Sequence, residues 1–297
     1  MTKKIDFIII GAQKAGSTFL YNILNLSNEI YMPQEKELPF FLEKNIKKKN
    51  YAKFLDDYFD NSKIDQIIGT STPQYMMYPE SFGDIKLRLP NVKLIAIIRE
   101  PIKRLISHYD MVYRFGKENR SINSVLEDQL KNIEYYRKTP FNDPTGKYIV
   151  AGEYGRIFSH LLKNFDKNQI HILLFKDLVN QPKIETKKIM NFLNLKSEIN
   201  EFKKFNNMRG GKKKLINFDI YNIIIFFNKI KLKNMFPKFL IKKIKIFLSF
   251  VDNVNVDTKS KTSIKEVNPK LLKKLKDHYK QDLILLKNIL GIDLNVE

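Results

Sequence analysis

Gly11-Ala-Gln-Lys-Ala-Gly-Ser-Thr18 brings together the residue types that hold an anion. Two glycines let the backbone bend close to a ligand, Ser17 and Thr18 offer hydroxyl donors, and Lys14 adds a point charge. The spacing G-x-x-x-x-G is that of a phosphate loop, but Ser17 stands where a nucleoside-triphosphate loop carries its lysine. A second anion site is indicated at Arg99-Glu-Pro-Ile-Lys-Arg-Leu-Ile-Ser-His-Tyr109. Arg99 follows an apolar run at the point where an ATPase places the aspartate that holds Mg²⁺. A cation there points to direct binding of phosphate with no metal. Arg104 and Ser107 fall three apart on one helical face, with His108 one turn beyond Arg104. Two anion sites at the ends of parallel strands suit a ligand with two separated phosphate groups.

Such sites need strands that end at them. Ile5 to Ile10 is a short, mostly continuous apolar run, as in a strand buried on both faces. After the glycine loop, Phe19, Leu20, Ile23 and Leu24 recur at helical spacing. Further strands are expected around Gln66–Ile68, ahead of Thr70-Ser-Thr-Pro73, at Val92–Ile98 and at Ile170–Phe175. Pro101 opens a helix after the strand that ends at Arg99, and another helix over about Lys183–Phe192 follows the last strand. This alternation predicts an α/β fold, a P-loop-like three-layer α/β/α arrangement with a central parallel sheet, plus a helical C-terminal region. One domain is expected over residues 1–297, with a core at 5–212 and a basic helical region at 213–297. The polar stretch Phe115–Lys147 reads as an irregular linker, a candidate lid. Asn268–Leu290 predicts an amphipathic helix with Leu271, Leu272, Leu275, Tyr279, Leu283 and Leu286 on one side.

Composition narrows the chemistry. With 297 residues and 43% hydrophobic content the chain can bury a sizeable core. Cysteine is absent, so disulfides, thiolate metal sites and a cysteine nucleophile are excluded. The four histidines are scattered, and no metal is expected. A formal charge of +21 attracts polyanions, although only eight of the 53 basic residues are arginine, the type with the fork that reads phosphate. No nucleic-acid-reading motif is present, and no nucleic acid partner is expected. The apolar run Phe7–Ile10 is too short for a signal peptide, and no run reaches the length of a membrane span, which predicts a cytoplasmic chain. In Ile216–Val251 seven lysines interleave with phenylalanines, and Asp219 is the only acid. That segment could lie on anionic lipid at the inner face of a membrane, form a groove for an acidic glycan, or pack as ordinary helix with lysine outside.

The two anion motifs, in this order and about eighty residues apart, resemble those of sulfotransferases that use PAPS (3′-phosphoadenosine 5′-phosphosulfate). Gly11–Leu20 is similar to their 5′-phosphosulfate loop, and Arg99–Tyr109 to their 3′-phosphate motif, R-x-P-x-x-R-x-x-S-x-Y. Pro33–Phe41 resembles the K-E-x-x-F-F segment of the bacterial and heparan-sulfate-type branch. Gly152-Glu-Tyr154, Phe175-Lys-Asp-Leu178 and Ile189–Leu195 are similar to the family's second half.

The resemblance implies an enzyme that moves a sulfuryl group from PAPS to a hydroxyl or amine of a carbohydrate or lipid-linked glycan, without a metal. Sulfuryl transfer needs the leaving phosphate neutralised, the acceptor proton removed and the reactants aligned. Lys14 is the candidate for the first task, and Glu37, which corresponds to the branch's catalytic glutamate, for the second; His108 is a rival base. Lys14, Ala15, Gly16, Ser17 and Thr18 would hold the 5′-phosphosulfate, and Arg99 and Ser107 the 3′-phosphate. Arg209, Gly210 and Lys212 are similar to a late basic glycine loop that closes over the 3′-phosphate and adenine. The chain departs from the family at Gly69-Thr-Ser-Thr-Pro-Gln-Tyr75, where a charged residue often precedes Thr-Pro, so a partner that would orient the acceptor or Lys14 is missing. Two other readings stay open: a P-loop-like kinase or NTPase, and a non-catalytic basic protein that binds polyanions or membranes.

Overall fold

A computed structural model describes residues 4–43, 50–115, 117–141, 146–197, 199, 214–215, 256–257 and 264–296. Its centre is a parallel sheet of five strands in the order β2-β3-β1-β4-β5. The strands are β1 (Phe7–Gly11), β2 (Ile30–Tyr31), β3 (Ile67–Ser71), β4 (Lys93–Ile98) and β5 (Ile170–Leu174). Every residue of β1 is buried, as are Leu94 to Ile98 of β4, which is why these strands read as unbroken apolar runs. Helices cover the sheet: α1 (Ser17–Leu24), α2 (Tyr51–Phe59), α3 (Ser81–Arg88), α4 (Pro101–Arg114), α5 (Ile122–Lys131), α6 (Ile133–Lys138), α7 (Tyr154–Leu162), α8 (Phe175–Asn180) and α9 (Pro182–Phe192). A last helix, α10 (Pro269–Leu290), packs on α7 and buries Leu271, Leu275, Tyr279, Leu283 and Leu286. The layered α/β architecture is the one expected from the sequence.

The strand order determines where a ligand can bind. From β1 the chain winds towards β3 and β2, whereas from β4 it winds towards β5. The winding direction reverses between β1 and β4, so the loops leaving their carboxyl ends part and leave a crevice. Those loops are Gly11–Gly16 and the turn at Arg99. Register is held by close packing: Phe7 lies opposite Gly69 of β3, and a Cβ at Gly69 would sit 2.1 Å from the Phe7 ring. Helix α4 starts sharply because Glu100 caps it, accepting from the backbone N–H of Ile102 (2.9 Å) and Lys103 (2.5 Å), with Pro101 in the first turn.

Three details differ from the sequence reading. The edge strand β2 has two residues, too few for a period to show. The β3 strand runs past Ile68 to Ser71. The stretch 115–147 is not an irregular linker: it holds α5 and α6, and α5 buries Ile122, Val125, Leu126 and Gln129. Ser121 caps α5 by accepting from Ser124 N at 3.3 Å. The i, i+3, i+4 pattern was present there but interleaved with charge. Residues 216–251 lie outside the described residues. No described helix is long and apolar enough to cross a membrane.

Candidate active site

The glycine loop begins where β1 ends. Ala12 N donates to Ile97 O of β4 at 2.7 Å, which ties the loop to the neighbouring strand. Lys14 has φ of 69°, a left-handed conformation that costs a side-chain-bearing residue energy and is characteristic of functional sites. Gly16 has φ of 96°, and a Cβ there would lie 3.1 Å from the Phe175 ring, so glycine is required on both counts. Helix α1 starts at Ser17 with no side-chain cap, which leaves its first backbone N–H groups to an external acceptor. Ala15 and Ser17 are buried, while Thr18 is exposed on the first turn.

Arg99 joins this loop directly. Its Nη1 donates to Lys14 O at 3.0 Å, and its guanidinium lies 4.8 Å from the centre of the Phe175 ring. Tyr154 braces the Arg99 backbone, donating its hydroxyl to Arg99 O at 2.9 Å and accepting from Arg99 N at 3.3 Å. Tyr154 of the Gly152-Glu-Tyr motif thus supports the arginine. Ser107 is half-buried on α4 and makes no hydrogen bond to Arg99.

Glu37 is held from two sides. Its Oε1 accepts from Lys36 Nζ at 2.9 Å and its Oε2 from Gln74 Nε2 at 2.5 Å. The segment carrying it is clipped to the end of β3. Thr72 Oγ1 donates to Leu38 O (3.0 Å) and accepts from Leu38 N (3.1 Å), and Tyr75 OH donates to Leu38 O at 2.8 Å. Behind it Phe40 stacks on Phe54, ring centres 4.4 Å apart. With 42% of its side chain exposed, the Glu37 carboxylate is oriented yet open to an incoming group. The neutral stretch before Thr72-Pro73 does lack a charged partner, but Gln74, just after it, supplies an amide donor to Glu37 instead. Sequence reasoning missed Gln74, whose only signal was its place in the Thr-Pro-x-Tyr element.

The electrostatics around Lys14 are one-sided. Burial, followed by Arg114 and Arg99 and with Lys36 adding to them, lowers its pKa from 10.5 to about 8, against the opposing pull of Asp110. Arg114, on the last turn of α4, is a second residue that the sequence motifs did not mark. His108 is fully buried, and burial, Arg104 and Lys14 hold its pKa well below the ordinary value. Its Nδ1 lies 3.5 Å from Arg104 Nη1, and Arg104, also fully buried, donates through Nη2 to Tyr148 O. Protonating His108 would add a further cation to this group, so a neutral imidazole is what the fold stabilises, which argues against a base role there. The structure therefore gathers Lys14, Gly16, Ser17 and Arg99 at one crevice with Lys36 and Arg114, and Glu37 follows Lys36 in the chain. Arg209, Gly210 and Lys212 lie outside the described residues.

Comparisons with known proteins bear on the family and the fold. A sequence model described as "Sulfotransferase domain" matches residues 4–218. The membrane-associated sulfotransferase kil1 of Dictyostelium discoideum is 34% identical over 122 residues, 39% of this chain and 25% of that protein. Heparan sulfate glucosamine 3-O-sulfotransferase 5 of Mus musculus is 29% identical over 233 residues, 75% of this chain and 61% of that protein. The chain thus spans less than two thirds of the length of these curated relatives. A solved sulfotransferase from Alicyclobacillus acidocaldarius has a TM-score of 0.66 at 18% identity, covering 98% of each chain, and shares the fold. The domain match extends over well more than half of the sequence, and the chain belongs to the family of PAPS-dependent sulfotransferases.

Proposed function

We propose that this chain transfers the sulfuryl group of PAPS to a hydroxyl or amine of a glycan, with Lys14 and Glu37 as the reacting protein groups. The observation that supports the donor half is the convergence of Lys14, Arg99, Arg114 and Lys36 at the reversal point of a parallel sheet, with Asp110 opposing them at Lys14. A half-buried cluster of mostly like charge is made more favourable by a polyanion, and a 3′-phosphate with a 5′-phosphosulfate is such a ligand. The loop N–H groups, Ser17 and Thr18 suit the 5′ group, and Arg99 with Ser107 suits the 3′-phosphate. For the acceptor half, the heparan sulfate relatives and the Lys36-Glu37 segment favour a sugar.

In the reaction Glu37 takes the proton of the acceptor hydroxyl or amine as the new O–S or N–S bond forms. The bond from sulfur to the bridging phosphate oxygen breaks, and protonated Lys14 offsets the negative charge that grows on the departing 3′,5′-ADP. Gln74 and Lys36 orient the carboxylate, with the Lys36 ammonium 2.9 Å from Oε1 and the Gln74 amide on Oε2.

The test is calorimetric titration with 3′,5′-ADP, 5′-ADP and ATP–Mg²⁺, followed by sulfate transfer from labelled PAPS to a panel of glycans. Metal-free selectivity for 3′,5′-ADP is expected. Glu37→Gln should lose about 10²–10⁴-fold in kcat at unchanged 3′,5′-ADP affinity. Preference for ATP–Mg²⁺ would move the reading to a phosphotransferase, and indifference among the three would leave a polyanion-binding protein.

A further inference from the structure

Arg99 is the residue at which the two halves of the donor site meet. A guanidinium carries five N–H donors in one plane, and here that plane is set from two directions. Nη1 donates to Lys14 O at 3.0 Å, and the Phe175 ring centre lies 4.8 Å from the guanidinium carbon. Among the described residues Nη1 is the one nitrogen of this side chain that donates a hydrogen bond, which leaves the Nε and Nη2 edge to a phosphate. Phe175 packs against the same loop, since a Cβ at Gly16 would lie 3.1 Å from its ring. Arg99 therefore meets the loop directly at Lys14 and, through Phe175, at Gly16.

The carbonyl that Arg99 holds belongs to a demanding residue. Lys14 has φ of 69°, a left-handed conformation that persists only where the surroundings support it. A hydrogen bond from a charged donor is stronger than a neutral one, and it falls on that very peptide.

Arg99 is itself anchored. It lies in the turn between β4 and α4, and one hydroxyl serves both of its backbone groups: Tyr154 OH donates to Arg99 O at 2.9 Å and accepts from Arg99 N at 3.3 Å. Tyr154 is fully buried, and burial pushes its pKa up to about 12, so the hydroxyl keeps its proton through neutral pH. A buried tyrosine thus fixes the backbone of the residue whose side chain fixes the loop.

We propose that Arg99 links the two phosphate sites: anchored by Tyr154, it holds the Lys14 carbonyl through Nη1 while its open edge takes the 3′-phosphate. This rests on the reading of the crevice as the PAPS site, and it makes Tyr154 a positioning residue. The 3′-phosphate then does more than add its own contact. By fixing the guanidinium it steadies the loop that presents Lys14 to the 5′ group, so occupancy of either site strengthens the other.

The test titrates 3′,5′-ADP and 5′-AMP, which differ by the 3′-phosphate alone, into the full chain and into two variants. Tyr154→Phe removes one hydroxyl. Arg99→Lys keeps the charge but not the fork, and serves alone should the first variant fail to fold. Both should bind 3′,5′-ADP at least about tenfold more weakly. The deciding ligand is 5′-AMP, which has nothing to place on the open edge of Arg99; its affinity should still fall about three- to tenfold in each variant. In the wild type that affinity declines as the pH rises through about 8, where Lys14, its pKa lowered chiefly by burial, loses its charge. A loosened loop returns water to Lys14, so the midpoint should move up by about half a pH unit or more, a shift that lost packing elsewhere does not produce. Melting temperatures should stay near that of the wild type. An unchanged 5′-AMP affinity, or an unchanged midpoint, would overturn the link and leave the donor reading intact. Losses that come only with a lowered melting temperature would mark general loosening and overturn it equally. A wild-type chain that does not prefer 3′,5′-ADP to 5′-AMP would overturn both.

Discussion

Two clusters of buried or half-buried positive charge in this molecule are built to opposite ends. In one, Arg137, Arg156 and His278 surround the fully buried Glu153. Arg137 donates through Nε (3.0 Å) and Nη2 (2.7 Å), Arg156 through Nε (2.5 Å), and His278 Nε2 lies 3.0 Å from Oε1. Burial alone would raise the pKa of this carboxyl, but His278, Arg137 and Arg156 bring it down to about 2. In the other, Lys14, Lys36, Arg99 and Arg114 outnumber the acids near them, Lys36 being paired with Glu37 and Asp110 opposing the rest, and the Lys14 pKa falls to about 8. The first cluster carries its own counterion and joins elements remote in sequence, with α6 and α7 held to α10 through His278. Asp282 of the same helix adds to that junction by accepting from the N–H groups of Gly155 and Arg156, both at 2.8 Å. The second cluster keeps an excess of positive charge, which is what suits it to the proposed anionic ligand. The compensated cluster is a fastening, and the one with charge in excess is the proposed binding site.

Breaking each cluster should therefore have opposite consequences. The largest effect is expected from Lys14→Met, a loss of about 10²–10³-fold in kcat, because a charge aimed at the leaving group is removed. The same substitution should raise the melting temperature of the unliganded chain by a few degrees, about 2–4 °C for each kcal/mol of strain relieved, as read by calorimetry. Glu153→Gln should do the reverse, lowering stability by about 3–5 kcal/mol in denaturant titration, since Arg156 loses the carboxylate it is bound to and Arg137 keeps only Glu134. In the wild type the Glu153 contribution is present above its ordinary pKa of 4.5 and is lost as the pH falls towards 2, so acid unfolding should be delayed relative to the variant.

Arg99→Ala should weaken 3′,5′-ADP about ten- to a hundredfold, the loss of one charge-assisted contact, with a melting temperature close to that of the wild type. The smallest effect sharpens the contrast by pH. An anion bound beside Lys14 raises its pKa back from about 8, so 3′,5′-ADP binding should take up a fraction of a proton near pH 8. Affinity should fall as the pH rises through 8 and the free lysine loses its charge. Titrations in buffers of different ionisation enthalpy measure that uptake, and in Lys14→Met it should vanish. Proton uptake that persists in the variant would assign the titration to another group.

The donor side was legible because its signals are local. A fully buried parallel strand writes itself as an apolar run, a left-handed turn against an aromatic ring demands glycine, and a helix beginning at Pro101 is capped by the residue before it. Each of these lies within about ten residues, and the sequence by itself determined β1, the Gly11–Ser17 loop, β4 and Arg99. Helix α10 was equally readable from its apolar spacing.

Tertiary structure alone decided the rest. Gln74 reaches Glu37 across 37 residues because β3 lies beside β1 and Thr72 clips Leu38 to its end. Arg114 is a surface-like helical arginine until α4 is laid over the crevice, which brings it to Lys14. Arg104, read as a face-sharing partner of Ser107, turns inward to the Tyr148 carbonyl, and Glu153 finds a histidine 125 residues away. The pKa of a lysine or glutamate is set by which charges the fold brings within several ångströms and by how much water it removes, and neither is written in neighbouring residues. Residue types and spacing showed that an anion could be held; the sheet order decided which charges were brought together at one crevice.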